Sequence, residues 1–215
     1  MTKGIIIKRA YDGAVLYEAP DAVTIKEAVE AAVFDNADLI NANLINADLA
    51  GARLFNARLD GARLNGARLN DAILVGASLI GASLIDASLD GARLYGASLV
   101  DANLVNANLD GASLVGARLN GASLVNAILV GANLNGAILV NANLINASLD
   151  GANLNGANLD GANLDGARLV NASLDGANLV NARLDGASLV NASLVDANLD
   201  GASLVDAVSR IKEKS

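Results

Sequence analysis

The chain contains no cysteine, no histidine and no tryptophan, a single proline, and only 2% aromatic residues. Without cysteine there is no disulfide framework and no thiol chemistry. Without histidine as well, the usual zinc ligand sets and the common nucleophile–base pairs are unavailable, and no cofactor or metal is expected. So few aromatics cannot fill an ordinary globular core, nor build stacking platforms for nucleic-acid bases. Long apolar runs are also missing, although 53% of the residues are hydrophobic. Stretches such as Ala72–Val75 stop after four residues, against the ~20 that a membrane span requires. The opening segment MTKGIIIKRAYDG has only a three-residue apolar patch. It does not read as a secretory signal, so the expectation is a cytoplasmic protein without membrane contact. The three NAS sequons, at 146–148, 171–173 and 191–193, then read as products of the repeat rather than glycosylation sites. Positive charge is scarce: 15 Lys and Arg stand against 23 Asp and Glu, a net charge of −8. Nucleic-acid binding depends on cations that displace counterions, so nucleic acid is not an expected partner.

What the chain has in abundance is period. From Ala37 to Asp206 every fifth residue is Ala, and two places later every fifth residue is Leu, over 34 consecutive pentapeptides. The residue between them is Asn, Ser, Arg, Asp or Ile, and the last residue of each unit is always Gly, Asn or Asp. Five residues advance an α-helix by about 500°, so the leucines would smear around its surface. An odd period also fails a long strand, where successive leucines would alternate faces. Within one unit, however, Ala-x-Leu places two apolar side chains on the same side of a short extended piece. The following pair ends in a residue that tolerates positive φ or makes local turn hydrogen bonds. A short strand and a corner, repeated, coil into an all-β solenoid with Ala and Leu inside and the other three positions outside.

The A-(D/N)-L-x-x units resemble the pentapeptide repeat family, and the resemblance covers about 170 of the 215 residues. It implies a right-handed quadrilateral β-helix with four units per coil, hence about 8.5 coils over residues 37–206. At the ~4.8 Å strand spacing such a rod is about 41 Å long. The structural core is then expected to include Phe34, Ala37, Leu39, Leu44, Leu64, Ala122, Leu124 and Leu204, with Phe34 admitted because it stands five residues before Leu39.

Residues 1–36 read as an N-terminal cap over unpaired strand edges. GIIIKRA and GAVLYEA form two strands joined at Tyr11-Asp12-Gly13, and Pro20 stops the second. Thr24 with Glu27 forms a capping box, and Ile25, Ala28, Val29, Ala32 and Val33 follow the spacing of an amphipathic helix. Residues 207–215 read as a thin C-terminal tail, with Val208 and Ile211 as its apolar residues. An end-to-end homodimer through the last coil is one expectation, and a monomer with a frayed tail is the other.

No catalytic constellation emerges. Asp160, Asp165, Asp175 and Asp185 each follow a leucine but fall on different faces or coils, with no partner base, so no enzyme is expected. Arg53, Arg58, Arg63 and Arg68 occupy four successive faces, a ring around one coil rather than a basic patch. Their position reads as the freest of the unit. Phe55, Val75, Tyr95 and Val115 form one outward ladder, and Ile85, Val105, Val125 and Ile145 another; stabilisation of their own face is the first reading of both and a contact surface the second. The invariant inner letters and small outer alphabet look like a consensus design, so the expected function is a structural scaffold that requires no partner. The alternative, implied by the resemblance to quinolone-resistance members, is a DNA-mimicking protein that binds type II topoisomerase. The repeats carry 16 Asp against 8 Arg, and residues 127–206 carry 8 Asp against 2 Arg.

Overall fold

A computed structural model of the chain describes residues 4–208. Among these, regular strands and helix occur only before the repeats. β1 (Ile5–Lys8) pairs antiparallel with β2 (Val15–Ala19), with Ile7 opposite Tyr17 and a register shift between Ile7 and Lys8. The connection turns at Gly13, whose φ of 71° lies in the left-handed region. It is fastened by Arg9, which donates to both carboxylate oxygens of Asp12 at 2.9 and 2.8 Å, while Asp12 Oδ1 accepts from the Ala14 N–H. α1 (Ile25–Phe34) starts on the capping box read from the sequence: Thr24 accepts from the Glu27 N–H, and Glu27 reaches back to the Thr24 N–H. Ala28, Val29 and Ala32 form its buried face.

The helix ends in the first corner of the repeat. The N–H of Ala37 reaches the Ala32 carbonyl and that of Asn36 the Val33 carbonyl, with Asn36 at φ 54°. That is a Schellman termination, and it needs a left-handed residue just past the helix. The corner needs the same conformation, so one asparagine closes α1 and opens the solenoid.

From Asn36 to Asp206 every fifth residue has positive φ, between 53° and 68°, whether it is Gly, Asn or Asp. The residue before each corner does not, and the next alanine N–H bonds back to the leucine carbonyl, as Ala122 does to Leu119 at 3.0 Å. Left-handed backbone at the third turn position alone is the mark of a type II turn. Between corners, the middle residue of each unit forms a parallel bridge to the residue 20 positions later, from Asn43–Arg63 to Ser188–Val208. One coil is therefore four units, with four straight sides and four corners. Each side is one isolated bridge rather than a strand, because only three residues separate successive corners.

Stacking pairs the backbone. In unit 122–126, Ser123 donates to the Ala102 carbonyl of the preceding coil at 2.9 Å. Leu124 donates to Asn143 of the following coil at 2.7 Å, and Asn126 to Ile145 at 3.0 Å. Inside, the leucines from Leu39 to Leu189 are at most 1% exposed, and no polar or charged residue is buried among the described residues. Each leucine contributes roughly 1.5–3 kcal/mol by leaving water.

The N-terminal elements pair the first coil, which has no coil before it. Asn43 donates to the Lys8 carbonyl and Ala10 to the Asn41 carbonyl, both at 2.8 Å. Glu30 accepts from the Arg53 N–H at 2.7 Å, and Lys26 Nζ donates to the Ala50 carbonyl at 2.8 Å.

Two residues expected in the core are not there. Phe34 is 86% exposed. It still belongs to α1, where it stands about 200° around the axis from Ala32, so the five-residue frame does not govern its direction. Leu204 is 41% exposed, because among the described residues no further coil stands over it. Ala37 is half-buried, whereas Leu39, Leu44, Leu64, Ala122 and Leu124 are fully buried. Of the tail, Ala207 and Val208 are described and Val208 is 58% exposed; Ile211 lies outside the described residues.

Candidate functional site

With Ala and Leu turned inward, chemistry is left to three outward positions per unit. The stacking pattern uses the N–H groups of Ala, the middle residue, Leu and the corner. The N–H of the residue after leucine remains, and an unpaired backbone donor is costly wherever water is excluded. In half of the units a side chain accepts it, in one of two ways. Every middle Asn or Asp except Asn43 accepts it from two residues further on, as Asn103 does from Val105 at 3.1 Å and Asn163 from Asp165 at 3.0 Å. Elsewhere an Asp or Asn one coil earlier reaches across: Asp60 to Ile80, Asp150 to Val170, Asn155 to Asp175, Asp165 to Asp185, Asp175 to Val195 and Asp185 to Val205. The middle position read as free from sequence thus closes the backbone pattern wherever it holds Asn or Asp, Asn43 apart. The A-(D/N)-L spelling was the available signal.

The same carboxylates are held to the wall by side chains. The hydroxyls of Ser78, Ser193 and Ser203 donate to Asp60, Asp175 and Asp185. Arg168 and Arg183 pair with Asp150 and Asp165 at 2.5 Å. The Ser203 hydroxyl and the Val205 N–H hold the Asp185 carboxyl below its ordinary pKa. The Asn70 amide, then the Ser88 hydroxyl, do the same for Asp90. Asp160, Asp165, Asp175 and Asp185 fall in different bridge columns or on successive coils, and the structure does not bring them together as a site.

The ring of arginines is as expected in direction: the bridges put Arg53, Arg58, Arg63 and Arg68 in four separate columns. Two of them are paired along the rod, Arg58 with Asp38 at 3.2 Å and Arg68 with Asp48 at 3.0 Å. Their side chains are at least half exposed, and the pairs contribute at most about 1 kcal/mol each.

One concavity was not visible in the sequence. It is a groove of about 710 Å3 between α1 and the first two coils, lined by Glu30, Ala31, Val33 and Phe34 on the helix and by Arg53, Phe55 and Ile73 on the rod. Phe34 and Phe55 are the only phenylalanines in the chain, and the groove takes both. Among the described residues no group of three His, Cys, Asp or Glu side chains is placed to hold a metal ion. No described helix is long and apolar enough to cross a membrane.

A stack of four-sided coils, each bridged to the next at 20-residue separation, defines a parallel β-solenoid. The pentapeptide repeat model matches it in eight copies that together run from residue 32 to residue 206, and the chain belongs to the pentapeptide repeat family. Membership implies the right-handed quadrilateral β-helix. Among solved structures, the chain is similar to HetL, a pentapeptide repeat protein involved in heterocyst differentiation regulation in the cyanobacterium Nostoc sp. strain PCC 7120. That match has 37% identity over 80% of this chain and 88% of HetL, with a TM-score of 0.43. A trypsin-treated form of QnrB1, a plasmid-mediated fluoroquinolone resistance protein, matches over 78% of this chain and 89% of its own. Its 19% identity and TM-score of 0.54 speak to the fold alone. No curated protein sequence matches the chain.

Proposed function

We propose that this chain is a structural repeat scaffold of consensus-like, designed character, a rod without catalytic activity. The observation that carries the reading is the uniformity of the interior: from Leu39 to Ala192 every inward residue is a buried Ala or Leu. Stability resides in fixed letters, while the outer positions draw on a small alphabet. Exchanging outward residues between units 92–131 while keeping their corners and inner letters tests this. Melting temperature is expected to hold within a few degrees, because surface substitutions usually fall within about ±0.5 kcal/mol. A collapse of stability would mean the outer letters encode something specific.

A second reading, a DNA-mimicking topoisomerase binder acting as an end-to-end dimer, draws on the acidic half, with 8 Asp and 2 Arg over residues 127–206. The exposed Leu204 and Val205 on the last described coil offer apolar area for such a contact. Against it, Asp150, Asp165, Asp175 and Asp185 are turned onto the neighbouring coil rather than projected outward. Duplex DNA carries one charge per ~1.7 Å, about three times the net density of this rod. A supercoiling assay with DNA gyrase separates the readings. Inhibition at submicromolar protein, abolished by Asp→Asn changes in the second half, would displace the scaffold; light scattering would show the dimer.

A further inference from the structure

The bridges Arg53–Ile73, Ile73–Arg93 and Arg93–Ser113 align four coils on one side of the rod, and Phe55, Val75, Tyr95 and Val115 follow two residues later in each. The only aromatics of the 34 repeats, Phe55 and Tyr95, stand two coils apart in this column, and α1 adds Phe34 on the groove it shares with Phe55. Phe34, Phe55 and Tyr95 are 86, 48 and 59% exposed. The segments 53–55, 73–75, 93–95 and 113–115 contain no carboxylate, in a chain of net charge −8. Arg53 and Arg93 are their only charges, and neither guanidinium has a carboxylate within salt-bridge distance among the described residues. Arginine and tyrosine are enriched at interface hot spots, and exposed apolar area marks contact sites.

We propose that this face and the groove under α1 bind an acidic amphipathic helix laid along the rod. Spacing selects a helix. Successive coils are ~4.8 Å apart, so Phe55 and Tyr95, and likewise Arg53 and Arg93, are separated by ~9.6 Å along the axis. An α-helix repeats its side chains every ~5.4 Å, and residues i, i+3/i+4 and i+7 follow Phe55, Val75 and Tyr95 coil by coil. One face of an extended strand repeats at ~6.8 Å and loses register by the second coil. Charge selects acid: two carboxylates about two turns apart, beside the apolar stripe, meet Arg53 and Arg93. A second copy's α1 does not supply them. Its Glu27 is spent on the capping box and its Glu30 on the Arg53 N–H.

The test titrates the full chain into a fluorescein-labelled alanine-rich peptide of about 20 residues, with Leu at i, i+3, i+7 and i+10 and Glu flanking that stripe. Controls carry Lys in place of Glu, or the same composition with the leucines dispersed. The acidic stripe peptide is expected to bind saturably and about tenfold or more tightly than either control. Phe55→Asn with Tyr95→Asn is expected to weaken it at least about tenfold. Asn65 and Asn135 hold the same unit position, so the fold should survive, as a circular dichroism spectrum would verify. Arg93→Ser, the residue the next coil carries at Ser113, is expected to remove most of the preference for Glu over Lys. Equal binding of the three peptides, indifference to these variants, or no saturation below about 1 mM overturns the proposal. So does a dimer by light scattering that Phe55→Asn disperses, which would assign the face to a second copy.

Discussion

Leu124 and Leu204 are the same letter of the same unit, and the solenoid predicts that they are worth different amounts. Replacing leucine by alanine removes about three methylene equivalents, ~2.4 kcal/mol of transfer free energy at ~0.8 each. Leu124 is fully buried between coils on both sides, so its loss also leaves a cavity the stacked backbone cannot close. Core Leu→Ala changes then total about 3–5 kcal/mol. Leu204 is 41% exposed, with no further coil over it among the described residues, so only about 1.4 kcal/mol of transfer remains and no cavity is enclosed. In a stack whose units contact only their neighbours, loss at an end is further absorbed by fraying of that coil. Urea unfolding of Leu124→Ala and Leu204→Ala, followed by far-ultraviolet circular dichroism, should show at least a twofold difference in destabilisation. Equal losses, or a larger loss at Leu204, would refute the reasoning, because burial would then not set the energetics of the rod.

Gly131→Ala should cost about 1–2 kcal/mol in the same assay, since φ is +63° there although a Cβ would meet open space, whereas Gly131→Asn should cost only a few tenths. Thr24→Ala should cost about 1 kcal/mol by removing half of the capping box, read as a lower melting temperature. Acid should weaken the rod: Asp90 and Asp185 titrate below the ordinary carboxyl value of 3.8 when folded, so their contribution is whole above that value and is lost as pH falls through the lowered ones. Urea midpoints measured from neutral pH to about pH 2 should therefore drop only below about pH 4, and less steeply in Asp185→Asn. In base the sign reverses for Tyr17, whose hydroxyl donates to Asp35 and titrates above its ordinary 10.0. Its hold on the helix end is whole below that value and is lost as pH rises through the raised one.

The parts of this fold legible in the sequence are those set within one unit. Leucine two places after alanine shows which side is buried, and a corner alphabet of Gly, Asn and Asp shows where φ turns positive. Thr24 and Glu27 announced their helix for the same reason, since a capping box closes over four residues. What depended on register was hidden. The backbone donor left over after stacking, and hence the work of Asn103 or Asp175, exists only once residues 20 apart are bonded. A period of five does not state that number; the family resemblance supplied it. Phe34 misled because two periods overlap there: the five-residue frame passes through a residue that still obeys the helix. The groove under α1 joins residues near 30 to residues near 55 and 73, a proximity that no local pattern records.

The corners carry a consequence of their own. All 35 of them, from Asn36 to Asp206, adopt one backbone conformation, and nothing inside distinguishes one coil from the next. The rod is therefore a coordinate system: a residue's number modulo twenty gives its compass bearing, and the count of twenties gives its height in steps of ~4.8 Å. Moving a side chain by five residues turns it a quarter of the way round, and moving it by twenty slides it one step along the same meridian. Excising a whole coil shortens this ruler by one graduation and leaves every remaining bearing unchanged, while excising a single unit rotates everything beyond the cut by ninety degrees.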